Sequence, residues 1–256
     1  MNLTDKQQRQ EESYAFPYHY LDLRADEYRL LLHTEYLSRL QVIKDLLKPY
    51  QGQAVLDAGC GDGRLCYELR PENLNLVGVD YSAQAIAFAR AFSPTVEFKV
   101  CDLRHLNLSQ SFDRIILSEV LEHFIPADIP PILESIARVL HPDGRLIVTV
   151  PSNRMPLVPK HYQHFSVAGL EKSLSGFFEL DQCMGISKNR NVGLLARLFY
   201  WRTKRICSWL YPFRRQRWVA SLIRSHNDYY HHKLATGRPE DCMGLVAVFK
   251  KKSPRP

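Results

Sequence analysis

Short apolar runs, separated by polar and glycine-bearing turns, dominate the middle of the chain. Ala54-Val55-Leu56, Leu76-Val77-Gly78-Val79, Val96 to Val100, Phe112 to Ser118 and Leu146 to Val150 each read as a buried strand. Between them, Arg64 to Leu69 and Ser82 to Arg90 carry helical patterns, with Ser82 placed as an N-cap. Strand and helix alternate over residues 52–184, which predicts a parallel sheet. Two later runs, Gly176 to Cys183 and Gly244 to Phe249, predict a sixth and a last strand. Upstream, Leu30, Leu31, Tyr36, Leu37, Leu40, Ile43 and Leu47 fall near helical spacing and predict a helix from Ala25 to Leu47, ended by Pro49 and Gly52. Met1 to Ser13 is polar and charged and is expected to be disordered. No internal repeat is visible.

The turn after the first strand, Asp57-Ala58-Gly59-Cys60-Gly61-Asp62-Gly63, is the most informative stretch. Glycines permit positive φ and let a ligand touch bare backbone. A strand, a glycine turn and a helix together make a nucleotide cradle at the carboxyl end of a parallel sheet. The dinucleotide fingerprint G-x-G-x-x-G would need a third glycine at position 64, where this chain has Arg64. Its pattern is G-x-G-x-G, with Asp57 two residues earlier. A carboxylate there repels a pyrophosphate and suits a cation. Asp80 ends the second run 17 residues after Gly63, near the ~20-residue offset at which an acidic residue takes ribose hydroxyls.

These pieces, with Asp102-Leu103 after the third strand, Ser118-Glu119 after the fourth and Leu140 to Pro151 as a turn and fifth strand, come in one order. In that order the chain resembles the class I, Rossmann-like S-adenosylmethionine-dependent methyltransferases over about residues 52–184. The resemblance implies a doubly wound α/β fold with a mostly parallel seven-stranded sheet and an antiparallel last strand. It implies S-adenosyl-L-methionine as cofactor. Asp57, Gly59, Cys60 and Gly61 would hold its methionine part, Asp80 and Tyr81 the ribose, and Asp102 and Leu103 the adenine. Ser118 and Glu119 would lie between cofactor and acceptor. Cys60 is expected to serve as a small residue, not a nucleophile.

Composition fits a soluble enzyme. The chain has 256 residues, enough for one α/β domain with additions. No apolar run reaches the ~18–20 residues of a membrane span, and the first residues lack the apolar centre of a secretory signal. Six scattered cysteines without a C-x-x-C pair argue against a zinc ribbon or a disulfide framework and fit a reducing cytosol.

Charge singles out one further region. Residues 188–241 hold twelve Lys and Arg against three acids, a net of +9, whereas the whole chain carries +7. All three tryptophans, Trp201, Trp209 and Trp218, lie there. Two compatible uses are a lid packed by its apolar face and an amphipathic segment, 194–224, lying on an anionic membrane surface. A weaker third use is nucleic acid, though no recognised nucleic-acid module is visible.

Candidate proton carriers come from His161-Tyr162-Gln163-His164-Phe165-Ser166, which resembles a stretch common among small-molecule members of the superfamily. His161 or His164 is expected to act as a base near neutral pH, or to order the loop before a helix starting near Ser166. His123 is expected to pack at a helix start, and His19 to help cover the pocket. A rival reading takes Glu119, Glu122, His123 and His164 as a divalent-metal site, similar to that of small-RNA 3′-terminal 2′-O-methyltransferases. A nicotinamide oxidoreductase is disfavoured by Arg64, and an inactive binding module by the intact cofactor motifs.

The sequence therefore divides into a helical cover (1–50), a cofactor-binding core (51–187), a basic aromatic helical insertion (188–241) and a last core strand with a basic tail (242–256). The expected protein is a cytoplasmic enzyme, with peripheral membrane contact open. It would methylate a small-molecule or lipid- or saccharide-linked acceptor on oxygen without a resident metal.

Overall fold

The computed structural model describes residues 4–20, 34–48, 51–188 and 235–252, with scattered positions between 198 and 226. Eight strands form one sheet: β1 (Ala54–Ala58), β2 (Asn75–Asp80), β3 (Glu97–Val100), β4 (Phe112–Ser118), β5 (Leu140–Pro151), β6 (Phe178–Lys188), β7 (Thr236–Gly237) and β8 (Cys242–Lys251). Their order is β3-β2-β1-β4-β5-β8-β6-β7. The first five are parallel, while β8 runs antiparallel between β5 and β6.

The seven expected strands are all present. The eighth, β7, is two residues at the end of the insertion that pair with Gly185 and Ile186. It was invisible in the sequence because a two-residue strand carries no periodicity. The 188–241 insertion thus leaves at β6 and returns to the same sheet edge. Most of it lies outside the described residues, as do positions 25–33 of the helix expected from Ala25 to Leu47.

Outside the insertion six α-helices are described: α1 (Asp5–Ser13), α2 (Thr34–Leu47), α3 (Arg64–Leu69), α4 (Ala83–Phe92), α5 (Ile129–Val139) and α6 (Val167–Leu174). They cover both faces, so the buried strands read as near-continuous apolar runs. On one face α5 buries Ile129, Ile132, Leu133 and Ile136, a helical stripe at i, i+3, i+4 and i+7. On the other, Leu40, Ile43 and Leu47 of α2 pack with Leu65 and Leu69 of α3. Ser82 and Ser166 cap α4 and α6, accepting from the Ala85 and Gly169 amides.

Helix α1 corrects the expectation of disorder over 1–13. Thr4 accepts from the Gln7 amide, and the Gln7 side chain accepts from the Thr4 amide, a closed capping box. The helix has no buried residue of its own. It is held by polar tethers instead, a kind of docking that hydrophobic patterning does not register.

The chain steps outward from β1 through β2 to β3 and then crosses back to β4 on the other side of β1. That topological switch point opens a crevice at the carboxyl ends of these strands, where ligands bind in sheets of this kind.

Candidate active site

Three glycines shape the turn after β1. Gly59, Gly61 and Gly63 have φ of +83°, +54° and +79°, a region that costs a side-chain-bearing residue about 1–2 kcal/mol. Space is also short: a Cβ on Gly59 would stand 2.5 Å from a Val120 methyl, and one on Gly61 2.6 Å from the Tyr14 hydroxyl. Backbone therefore lines this part of the crevice.

Two buried carboxylates flank the turn. Asp80 accepts from the Gly61 amide at 2.9 Å and the Ser82 amide at 2.9 Å, which pins the loop to the end of β2. Burial outweighs these bonds and lifts its carboxyl to about 6. Asp57 is lifted further, to about 7, by burial, against a hydrogen bond donated by the Cys66 thiol at 3.6 Å. Its neighbours Asp80 and Asp62 push the same way. A carboxylate so placed gains from a bound cation. Cys60 is buried and its thiol is pushed well up, which suits the passive role expected of it.

Arg64, in place of the third dinucleotide glycine, is 2% exposed. It donates to the His19 carbonyl at 2.6 Å and to Glu68 at 2.8 Å. His19 in turn meets Asp62, whose Oδ1 lies 2.9 Å from its Nδ1. The short turn Tyr18–Tyr20 is thereby locked onto the glycine turn.

Asp102 stands at the crevice but is engaged. Its carboxylate caps a short turn by accepting from the Arg104 amide and takes the Arg104 guanidinium at 2.7 Å. Burial works against its charge, yet these bonds hold the carboxyl below its usual range. Tyr81 donates to the Gln7 carbonyl of α1 at 3.3 Å.

Helix α1 spans the crevice. Ser82 donates to Glu11 at 2.9 Å, Tyr162 to Thr4 at 3.1 Å, and Lys6 bonds the His161 carbonyl. Underneath lie two adjoining cavities that share Gln10, Tyr14, Gly59, Glu119 and His123. One, about 70 Å³, is bordered by Asp80, Tyr81, Asp102 and Leu103 and narrowed by Gln7 and Gln10. The other, about 590 Å³, is bordered by Asp57, Ser118, Glu122, Lys160 and His161, with Tyr18, Tyr36, Met155 and Val158.

Every expected cofactor residue therefore borders one cavity or the other, and Glu119 and His161 face the second. His164 does not. Its Nδ1 meets the Met155 carbonyl at 2.9 Å and its Nε2 meets His161 Nδ1 at 2.8 Å. A single tautomer chain satisfies both contacts: His164 donates to the carbonyl, and His161 donates to His164, leaving the His161 Nε2 lone pair outward. His164 thus orders the loop, and His161, itself buried, turns its Nε2 towards the second cavity.

Glu119 has φ of +57° at the end of β4, a strained setting for a residue with a side chain. Thr149 donates to it at 3.1 Å, and Arg39 of α2 lies 3.4 Å away. Ser118 shares the Thr149 hydroxyl at 3.2 Å. Neither Thr149 nor Arg39 was singled out in the sequence. Thr149 gave a signal as the one polar residue inside the run Leu146 to Val150, whereas Arg39 gave none.

The proposed metal quartet is re-sorted. Glu122, His123 and His161, among the described residues, bring one ligand atom each within 4.8 Å of one another. His164 stands behind His161, and Glu119 is taken by Thr149 and Arg39. His123, expected to pack or, in the rival reading, to bind a metal, meets the Lys160 carbonyl through Nδ1 at 3.2 Å, so its Nε2 lone pair also points inward. Burial pushes His123 down to about 4 and His161 to about 3, and both rings are neutral near pH 7. Glu122 is 1% exposed, neither carboxylate oxygen has a hydrogen-bond partner among the described residues, and burial drives its carboxyl well up.

A glycine turn at the switch point of a doubly wound sheet, with a buried carboxylate at the ends of β1 and β2, defines a nucleoside-binding α/β protein that favours a cationic ligand. A model of the methyltransferase-domain family matches residues 50–196, and the chain belongs to that family, the Rossmann-like S-adenosylmethionine-dependent class. The human mitochondrial ubiquinone biosynthesis O-methyltransferase is 33% identical over 111 residues, which are 40% of this chain and 30% of that protein. The chain thus matches less than a third of that relative's length. Among solved structures, a TehB-like SAM-dependent methyltransferase from Corynebacterium glutamicum superposes with a TM-score of 0.58 at 22% identity, covering 95% of this chain and 99% of that one. The N-methyltransferase NodS from Bradyrhizobium japonicum, in complex with S-adenosyl-L-homocysteine, gives 0.59 at 14% identity, covering 98% and 100%. At these identities the two structures speak for the fold.

Proposed function

We propose that the chain transfers a methyl group from S-adenosyl-L-methionine to a hydroxyl oxygen of a small-molecule acceptor. One observation carries the reading: a bare glycine turn and two buried carboxylates share a rim with a roomy second cavity. When bound, the cofactor supplies an electrophilic methyl on a sulfonium. The protein's part is to hold, align and exclude water. Asp57, Gly59, Cys60 and Gly61 would take the methionine end, Asp80 and Tyr81 the ribose, and Asp102 and Leu103 the adenine. Raised carboxyls at Asp57 and Asp80 fit the group, because a cationic ligand favours their ionised forms.

The second cavity lies within the ~300–1,000 Å³ of small-molecule sites. Its tyrosines, Met155 and Val158 suit a ring, and Ser118 and Glu119 stand where a reacting hydroxyl would sit. His161 Nε2 is oriented by His164 to receive the hydroxyl proton. A ring held near 3 is a weak base, so an acidic hydroxyl such as a phenol fits best. Oxygen as the target is supported by the human relative, an O-methyltransferase by name. Isothermal titration should show S-adenosyl-L-methionine binding where NAD does not, and mass spectrometry of a phenol and catechol panel should show a gain of one methyl. Failure of the folded protein to bind the cofactor at millimolar concentration would end this reading.

A second reading is favoured by the convergence of Glu122, His123 and His161. Two neutral imidazole nitrogens and a buried carboxylate without partners suit a divalent cation, and the Nδ1 bonds to Lys160 and His164 are the outer contacts that orient such ligands. In this reading a cation acidifies the acceptor hydroxyl, and His161 serves as a ligand, not a base. Titration of the apo protein with Zn2+ or Mn2+ separates the two: one tight site lost in His161→Ala supports the metal, and activity that survives strong chelation rejects it.

A further inference from the structure

We propose that the basic insertion carries a face that docks on an anionic lipid bilayer. It rests on observations away from the crevice and does not depend on the donor or acceptor reading. The wrong side of this segment faces water. Trp209 is 72% exposed, Trp218 57%, Phe213 52%, Leu198 50% and Ile206 49%. Among the described residues these are five of the nine large hydrophobic side chains that stand exposed, gathered within 21 consecutive positions. Meanwhile Cys207 and Val219 are fully buried and pack with Leu210 and Leu222.

Helical spacing explains the sorting. Positions 202, 205–207 and 209–210 are helical. At about 100° per residue, Arg202, Arg205, Ile206 and Trp209 fall within one arc of about 100°, and Cys207 falls opposite it. The inner side is therefore already satisfied, so core packing does not account for the exposed tryptophan and isoleucine. An ordinary solvated lid would present polar residues there.

Charge selects the partner. No Asp or Glu occurs between Lys188 and Asp228, whereas Arg197, Arg202, Lys204, Arg205, Arg214, Arg215, Arg217 and Arg224 do. Guanidinium groups interleaved with tryptophan suit the headgroup layer: aromatic rings sit at its apolar boundary while the cations meet anionic lipid. Among the described residues no helix is long and apolar enough to cross a membrane, which fits a segment lying in the interface plane. The rest of the chain sums to about −2, so an anionic surface would orient the molecule with this face down.

The test uses the full chain. All three tryptophans lie in the insertion, so selectively excited tryptophan emission reports on this segment alone. Vesicles of phosphatidylcholine alone and of phosphatidylcholine with about one third phosphatidylglycerol are compared by flotation and by emission maximum. The expected result is co-flotation and a blue shift with the anionic vesicles only. Arg202→Glu/Arg205→Glu should lower binding at least tenfold, and Trp209→Ala/Trp218→Ala about tenfold, with the far-UV circular dichroism and the melting temperature of both variants unchanged. Equal binding to both vesicle types, or anionic binding without a blue shift, overturns the proposal. So does tighter binding to a single-stranded RNA than to anionic vesicles, which would make the face a nucleic-acid site. If either pair of substitutions unfolds the protein, Arg202→Gln alone, at an exposed position, must still weaken vesicle binding for the proposal to stand.

Discussion

The two cavities under α1 are built by different means. Towards the cofactor, the glycine turn, with Gly59 on both cavities and Gly61 on the larger, presents backbone, and Asp80 fixes it through amide bonds within one βαβ unit. On the acceptor side, side chains brought from far apart in sequence do the work: Arg39, Glu119 and Thr149 in one cluster, His123, Lys160 and His161 in another. Backbone geometry tolerates few residue types, so the first side is a motif. Side-chain geometry can be reached from many sequences, so the second is an arrangement found only in three dimensions.

Breaking the backbone side should have the largest effect. Gly59→Ala needs a side chain at φ +83° and puts its Cβ 2.5 Å from Val120. We expect cofactor affinity to fall at least ~100-fold, about 2.7 kcal/mol, within the range of strained positive-φ substitutions. Calorimetric titration measures it. A Val120→Ala partner that restores part of the affinity would assign the loss to the clash, and no recovery would assign it to backbone strain. On the acceptor side, Glu119→Gly should relieve the φ of +57° and raise thermal stability while lowering turnover, an opposite sign that marks strain retained for function.

Next comes pH. The carboxyls of Asp57 and Asp80, at about 7 and 6, lie above their values in the unfolded chain, so the native state binds more protons in between. These groups therefore contribute stability that is complete below about pH 4 and is lost as pH rises towards 7. A cationic ligand reverses the balance, because it favours the ionised carboxylates. Cofactor affinity should rise by up to about tenfold per pH unit from 5.5 to 7 and then level off, with proton release on binding. Titration in buffers of different ionisation heat reads the released proton. Asp57→Asn should flatten the slope, and an unchanged slope would detach Asp57 from the cation.

The same contrast explains what was legible in the sequence. β1 to β5, the turn at Gly59–Gly63, Asp80, the cap at Ser82 and the helix start near Ser166 were legible because each depends on neighbours within a few residues. Glu122 with His123 and His161 was only half legible. The Glu-x-x-Glu-His run could be read, but which later histidine meets it depends on the path of residues 152–166, and on His164 being drawn to the Met155 carbonyl. Helix α1 was missed altogether. Its tethers are polar bonds to residues more than 70 positions away, which leave no apolar period behind.

Removing residues 1–13 should sharpen the comparison further. The cofactor-side cavity is lined by Gln7 and Gln10 of α1, which stand where a ligand would enter or leave past this helix. Stopped-flow measurement should show cofactor association and dissociation both faster by about tenfold, a gating role of the kind that lids play. Unchanged rates would mean that entry runs by the acceptor side.

The smallest expected effect separates cradle from cover at one residue. Ser82 caps α4 by accepting from the Ala85 amide at 3.0 Å, and it donates to Glu11 of α1 at 2.9 Å. Ser82→Ala removes both roles. Loss of the cap alone costs about 1 kcal/mol, which lowers the melting temperature of a chain this size by about 2–4 °C. Glu11→Ala removes only the tether, a part-buried bond to a carboxylate worth about 1 kcal/mol or less at this rim position. If α1 and α4 melt as one unit, the two variants should lower the melting temperature together, and the double variant should fall short of their sum because they share a bond. If α1 opens on its own, Glu11→Ala should leave the melting temperature unchanged and raise amide exchange in Asp5–Ser13 alone, which would make the cover a separately opening element on a rigid cradle.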